Sequence, residues 1–422
     1  MCPTPGSVCF WTWWTLSHFA DRLDTIVVVW FDMMTINQHT FTKWWSCKKT
    51  CAGIRAIGYT VMVLTPWRDP LPLTRAWCLF ELFCTKKEGC RFEVAMGPRE
   101  REDFIAAIHA TDRPDDAVND MLSKIDVAKS EAGVQSDRDA IHKEVKEQVG
   151  FAQMNAMVLT LMRDWVIEVA RKEYDRRVDT LGDSHPDTLS SLLKLSILCL
   201  TQAHLDKAEP LLDSCLEKSR AVFDDSHPTT LTTMYYLARL YRDKGRYAEA
   251  QSMNEDCLKK RRDVLGDTHR DTLTSMNDLA TTFWKSGNYD EAEPLFKDCL
   301  EKMRAVLGDY DYDTVCGINN LALLYYNQGR YVEAEPLYID CCQKYKTLFG
   351  DSHPYTLASM GNLALLYDSQ GRYAEAEPIY VECFEKRRAV LGDSHPDTLT
   401  SMSNLAQLYD SQGRYADTRF SN

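Results

Sequence analysis

No apolar run in this chain approaches the roughly 20 residues that cross a bilayer. The longest, such as Ile26 to Phe31 and Thr60 to Leu64, stop far short, so no membrane span and no membrane partner is expected. Positive charge is also scarce: 49 Lys and Arg stand against 62 Asp and Glu, a formal charge of −13. That balance works against binding nucleic acid or anionic lipid by counterion release, and favours a basic or neutral partner. No basic stretch leads into an apolar segment with a cleavage site, so the 15 cysteines are read as reduced thiols of a cytoplasmic protein. They also lack zinc-site spacing. Cys47-x-x-x-Cys51 and the scattered Cys78, Cys84 and Cys90 form no paired Cys-x-x-Cys or histidine set, so no metal is expected. Sustained heptads are missing too, which excludes a long coiled coil.

What is present divides the chain in two. With 422 residues, 45% hydrophobic and 26% charged, it has the composition of a folded protein of two or three domains. Eight of the ten tryptophans (Trp11, Trp13, Trp14, Trp30, Trp44, Trp45, Trp67, Trp77) lie before residue 80. After Leu181 a different pattern takes over. The phrase Gly-Asp-Ser-His-Pro-x-Thr recurs from Gly182, Asp224, Gly266, Gly308, Gly350 and Gly392, always 42 residues apart.

Each unit reads as a helical hairpin. Leu363, Ala364 and Tyr367 mark one helical face, repeated as Leu279-Ala280-Phe283, Leu321-Ala322-Tyr325 and Leu405-Ala406-Tyr409. A turn follows at Gln370-Gly371-Arg372, then a second amphipathic run from Tyr373 to Val390. His395-Pro396-Asp397-Thr398 and its copies open the first helix, because proline suits the first helical position and aspartate the positive helix end. Pro210, Pro294, Pro336 and Pro378 fall a few residues into the second helix, where a small bend is expected. Cys215, Cys257, Cys299, Cys341 and Cys383 recur at the same period and are read as core packing, too far apart to pair with one another. The recurring histidines (His185, His227, His269, His353, His395) are read as architecture and not as ligands.

Asn319-Asn320-Leu321-Ala322-Leu323-Leu324-Tyr325 and Gly329-Arg330-Tyr331-Val332-Glu333-Ala334-Glu335-Pro336-Leu337-Tyr338 resemble the tetratricopeptide (TPR) repeats of kinesin light chains. The resemblance covers residues 179–422, about five full repeats and a partial one that stops after Ala416-Asp417-Thr418-Arg419, as in a truncated array. It implies an all-α superhelical solenoid whose first helices line a groove. Asn320, Asn362 and Asn404 precede the core leucine of successive first helices, the place where such grooves clamp a peptide backbone, and Asp278 and Tyr236 hold that place earlier. An inter-helix hydrogen bond is the alternative for these side chains.

The first part reads as α/β with a parallel sheet: strand-like runs at Thr25 to Asp32, Tyr59 to Leu64 and Phe92 to Met96 alternate with helical stretches. Helices are expected at Glu100 to Ala110, Asp116 to Ala128, Asp137 to Val149 and Ala152 to Tyr174, a connector over 98–178. Residues 1–97, with Thr74-Arg75-Ala76-Trp77-Cys78-Leu79-Phe80-Glu81-Leu82, resemble the TIR domain (Toll, interleukin-1 receptor, resistance protein). Trp30-Phe31-Asp32 with Ile36-Asn37-Gln38 is similar to the heterokaryon-incompatibility domain. The first strand of such a domain would precede residue 20, where Ser7 to Leu16 offers only a tryptophan-rich candidate, so a shortened domain is expected. The resemblance implies self-association and cleavage of NAD, as substrate and not as cofactor, with Glu81 at the ribose and Asp32 and Trp77 beside the nucleotide. A helix cap or turn accounts equally for Asp32, and a packed helix surface for Glu81.

Taken together, the sequence predicts a cytoplasmic scaffold whose array binds an extended peptide or partner protein and couples it to a TIR-like signalling module. The alternatives are an NAD hydrolase using Glu81 and a motor cargo adaptor.

Overall fold

A computed structural model describes residues 47–110, 114–133, 135–391 and 396–414, which fall into two compact units divided between Arg176 and Arg177. The readings placed on Ser7 to Leu16, the Thr25 to Asp32 strand, Asn37 and Gln38 lie outside the described residues.

The N-terminal unit runs α1 (Cys47–Ile57), β1 (Tyr59–Val63), a short 3-10 turn (Leu71–Thr74), α2 (Ala76–Lys87), β2 (Arg91–Ala95), α3 (Pro98–Ala110), α4 (Pro114–Leu122), α5 (Gln135–Gln148) and α6 (Phe151–Leu181), whose last residues pass into the second unit. The two strands pair in parallel, from Tyr59 opposite Arg91 to Val63 opposite Ala95, as their α2 crossover requires. Helix α2 supplies the core through Leu79, Phe80, Leu82 and Phe83, all buried. Trp67 donates its indole N–H to Asp103 at 2.8 Å, and its ring meets Phe104, which stacks on Trp165. The helices after residue 97 are therefore packed into the same unit as the strands.

Two expectations are corrected here. The cysteines are not all free thiols: Cys51 on α1 and Cys84 on α2 form a disulfide, because the two helices lie side by side with these Cα atoms 5.2 Å apart, inside the bonding range of about 4.4 to 6.8 Å. The helix expected over Asp116 to Ala128 stops at Leu122. Asp126 Oδ1 accepts the N–H groups of Ala128 (3.0 Å) and Lys129 (3.4 Å), and Asn155 Oδ1 that of Val127, so side chains take the donors that a continuing helix would have used.

The C-terminal unit stacks hairpins: α7 (Pro186–Thr201) and α8 (Leu205–Val222), α9 (Pro228–Asp243) and α10 (Tyr247–Leu265), α11 (Arg270–Lys285) and α12 (Tyr289–Leu307), α13 (Tyr312–Asn327) and α14 (Tyr331–Phe349), α15 (Pro354–Ser369) and α16 (Tyr373–Leu391), then α17 (Pro396–Ser411). These are repeats one to six. One apolar core runs from Ala280 to Tyr409 without a break between repeats, with the small Ala322 and Ala364 fully buried where helices close on each other. First helices of successive repeats touch at α7/α9, α9/α11 and α11/α13, whereas no two second helices come as close among the described residues. The first helices are thus the inner rail of the stack.

The recurring loop phrase has a part for each residue. Glycines such as Gly266, Gly308 and Gly350 end the second helix at φ 88°, a conformation open to a residue without Cβ. The aspartate at the second position of the phrase is held from both sides at three junctions: Asp225 by Arg220 (2.8 Å) and Lys260 (3.0 Å), Asp267 by Arg262 and Lys302 (both 2.7 Å), and Asp309 by Arg304 (3.1 Å) and Lys344 (3.5 Å). His185, His227, His269 and His353 cap the next helix, each Nδ1 accepting the N–H two residues on at 3.2 to 3.3 Å. Asp311 does the same in repeat four.

A second device locks repeats together. Arg330, just before α14, bonds Glu293 of the preceding repeat (2.6 Å) and its own Glu333, and lies over Tyr325 at 4.2 Å. Arg246 with Glu209, Glu249 and Tyr241, and Arg372 with Glu335, Glu375 and Tyr367, repeat the arrangement. At the junction of repeats two and three, all of the corresponding inter-repeat residues differ: Asn288 stands for the arginine, Gln251 for the glutamate and Phe283 for the tyrosine.

Candidate functional site

The inner rail presents one turn of each first helix to the next repeat. Asn320 and Asn362, half-buried, each donate an amide hydrogen to an asparagine 43 residues earlier: Asn320 Nδ2 to Asn277 Oδ1 at 3.3 Å, and Asn362 Nδ2 to Asn319 Oδ1 at 3.2 Å. Tyr326 and Ser369 share a hydrogen bond of 2.8 Å across the same interval. The partners Asn277 and Asn319 were not singled out from the sequence; the signal was there, since each stands one residue before the predicted position in the preceding repeat.

Trp284, Leu323, Tyr326 and Leu365 on the same first helices are apolar side chains left partly exposed. Asn404, also half-buried, continues the amide row into repeat six, where its earlier counterpart is Gly361 and not an asparagine. The two earliest predicted members are placed differently. Tyr236 and Asp278 are each 8% exposed, and Asp278 Oδ1 takes Arg242 Nη1 at 2.7 Å.

The repeat cysteines carry no chemistry. Each is buried, with Sγ toward a backbone carbonyl 26 residues earlier, as at Cys299 to Leu273 (3.2 Å) and Cys257 to Leu231 (3.4 Å). Burial pushes the Cys299 and Cys383 thiols up to about 12, and those of Cys215, Cys257 and Cys341 upward as well, so they stay protonated. A shallow cavity of about 280 Å³ between repeats three and four is lined by Lys297, Leu300, Glu301, Arg304, Leu321 and Leu337, and holds none of the predicted residues.

In the N-terminal unit, Trp77 and Glu81 lie one turn apart on α2, both half-buried, with the Trp77 ring edge-on to Phe80 at 6.4 Å. Among the described residues this pair lies beside a sheet of two strands; Asp32 lies outside them. No described helix is long and apolar enough to cross a membrane.

Comparison with known proteins bears on the repeats. The tetratricopeptide repeat pattern matches residues 205–263, 229–305, 313–388 and 369–417, and a second pattern of that family matches 277–340. Similar solved structures include nearly identical TPR-like repeats of kinesin-light-chain type from Podosopora anserina, at 23% identity over 49% of this chain and 97% of that one, TM-score 0.43. BtubC (BKLC) from P. vanneervenii is 22% identical over 55% of this chain and 92% of its own, TM-score 0.47. A Rap protein complexed with competence and sporulation factor is 12% identical over 76% and 94%, TM-score 0.46. No curated protein sequence matches the chain. The 42-residue hairpins, their shared core and the matched patterns agree: residues 205–417 are an array of tetratricopeptide repeats.

Proposed function

We propose that the array holds an extended peptide or protein segment along its first helices, and that the protein is an interaction scaffold. The observation that carries this reading is the pair of keyed amides, Asn320 and Asn362. An amide fixed through one hydrogen still offers its other hydrogen and its carbonyl oxygen, the complement of a peptide backbone. The partly exposed Trp284, Leu323, Tyr326 and Leu365 supply apolar contact for alternate side chains. Because Tyr236 and Asp278 are spent on packing, the reading puts the ligand on repeats three to six, with Asn404 at its far end. The charge of −13 favours a basic or neutral segment.

A random peptide library panned on the full chain tests this. Enriched peptides should share an apolar pattern, and should lose binding when Asn320, Asn362 and Asn404 are together replaced by Ala with helical circular dichroism unchanged. Enrichment that survives the replacement would move the site elsewhere.

The finer reading joins the array to a TIR-like module over residues 1–97 that self-associates in the cytoplasm. Its support is the Trp77-Cys78-Leu79-Phe80-Glu81-Leu82 run on a helix between two parallel strands. Under the second reading, NAD cleavage through Glu81, nicotinamide release from NAD should depend on that carboxylate and vanish in Glu81→Ala. A motor cargo adaptor shares the groove and differs in the partner that the selected peptides identify.

A further inference from the structure

The repeats serve as an internal alignment of the inner rail. The residue that follows the recurring Tyr or Phe of each first helix is Arg242, Trp284, Tyr326, Asp368 and Asp410 in repeats two to six. Where this position is polar in the earlier repeats, it has a partner across the junction. Arg242 Nη1 bonds Asp278 Oδ1 at 2.7 Å, and the Tyr326 hydroxyl shares its hydrogen bond with Ser369 Oγ of repeat five at 2.8 Å.

Asp368 has no such partner. Its counterpart of Ser369 in repeat six is Ser411, which gives its hydroxyl hydrogen to the Gln407 carbonyl at 3.0 Å. Among the described residues no cation lies within ion-pair distance of the Asp368 carboxylate, and burial alone accounts for the upward push on its carboxyl. Other half-buried carboxylates of the array are answered: Glu293 by Arg330 and Glu335 by Arg372 (both 2.6 Å), Asp340 by Lys344 (2.7 Å).

Everything around Asp368 disfavours its charge. The residue is half-buried, and it sits in the last turn of α15, at the negative end of the helix dipole, in a turn without a basic residue. The buried Tyr380 hydroxyl is pushed up chiefly by burial and then by Asp368 and Tyr326, which sets both groups near the same phenol. A half-buried carboxylate without a counter-ion costs stability, and a cation brought by a ligand relieves that cost. A tyrosine ring alongside also favours a cation.

We propose that Asp368 is the subsite for a lysine or arginine side chain of the segment held along the first helices. This rests on the groove reading above and adds what the ligand must carry: apolar residues over Trp284 and Tyr326, and a positive charge beyond them toward repeat six.

The test pans the random peptide library on the full chain and on its Asp368→Asn variant, which keeps the side-chain shape and removes the charge. Selection on the native chain should enrich one lysine or arginine at a fixed distance from the apolar positions. Selection on Asp368→Asn should keep the apolar positions and lose the basic one. The variant should melt at the same or a higher temperature, because an unanswered charge is gone. A lower melting temperature would make the carboxylate a structural group and overturn the proposal. In fluorescence anisotropy, a peptide selected on the native chain should bind Asp368→Asn at least about tenfold more weakly. Glutamine in place of its basic residue should cost as much on the native chain and little on the variant. Glu385→Gln removes an exposed carboxylate of the second helix α16 and controls for net charge. A loss there equal to that of Asp368→Asn means general attraction to an acidic chain and overturns the proposal. Peptides that depend on the amide row but carry no fixed basic residue overturn it while the groove reading stands; enrichment indifferent to the amide row overturns both.

Discussion

Arg242 donates from Nη1 to Asp278 Oδ1 at 2.7 Å across the junction of repeats two and three, and each side chain is only 12% exposed. The pair stands at the junction where the arginine clasp is missing, and it withdraws Asp278 from any ligand. A buried carboxylate deprived of its cation costs far more than an exposed pair contributes. Arg242→Leu should therefore destabilise the array by about 3 kcal/mol, and joint replacement of Arg242 and Asp278 by leucine should cost less than the sum of the two single leucine replacements. Urea unfolding of the four proteins checks this; strictly additive losses would mean the two side chains do not interact.

Ala203 occupies the turn position that later repeats give to Gly245, Gly287, Gly329, Gly371 and Gly413, and it does so at φ 61°. An L side chain is strained there. Ala203→Gly should stabilise the first hairpin by up to about 1 kcal/mol, although glycine also widens the unfolded ensemble and offsets part of the gain. A lowered thermal midpoint would show that the turn is not strained.

The missing clasp can be installed. Asn288→Arg, Gln251→Glu and Phe283→Tyr together should add about 0.5 to 1 kcal/mol, and the arginine alone little of it, because the contribution comes from a network with a ring beneath the guanidinium. Denaturant midpoints of the single and triple variants separate the two cases. A gain from Asn288→Arg alone equal to that of the triple variant would count against the network.

Acid should loosen the array in a defined window. Hydrogen bonds from Arg330, with Lys297 helping, hold the Glu293 carboxyl down from 4.5 to about 2, and Asp225 and Asp267 are lowered by their lysine and arginine partners. A carboxylate with a depressed folded value binds its proton less readily in the native state. The stability it contributes is complete above its unfolded value and is lost as pH falls toward 2. Stability measured against pH should decline through that window, and Glu293→Gln should flatten the decline. An identical slope in the variant would contradict the assignment.

The repeats were readable because packing itself is periodic: Leu363, Ala364 and Tyr367 recur in register, and glycine and His-Pro punctuate most of the hairpins. Pairing across distance was not readable. Nothing local ties Lys260 to Asp225, Arg330 to Glu293 or Cys51 to Cys84, since each contact depends on how helices are stacked. The end of α4 was missed for a related reason: Asp126 and Asn155 capture backbone donors that propensity assigns to the helix. The amide row was half visible. The sequence marked Asn320 and Asn362 but not Asn277 and Asn319, and it could not show that Asp278 is committed to Arg242.

The most direct test of the scaffold reading separates the two uses of the amide row. Asn277→Ala with Asn319→Ala removes the same inter-helix hydrogen bonds as Asn320→Ala with Asn362→Ala, but leaves the predicted ligand-facing amides in place. Calorimetric titration of a library-selected peptide into both variants should give near-native affinity for the first pair and a loss of at least about 30-fold for the second, with similar melting temperatures. Equal affinities in the two variants would mean the asparagines only pack helices, contradicting the account.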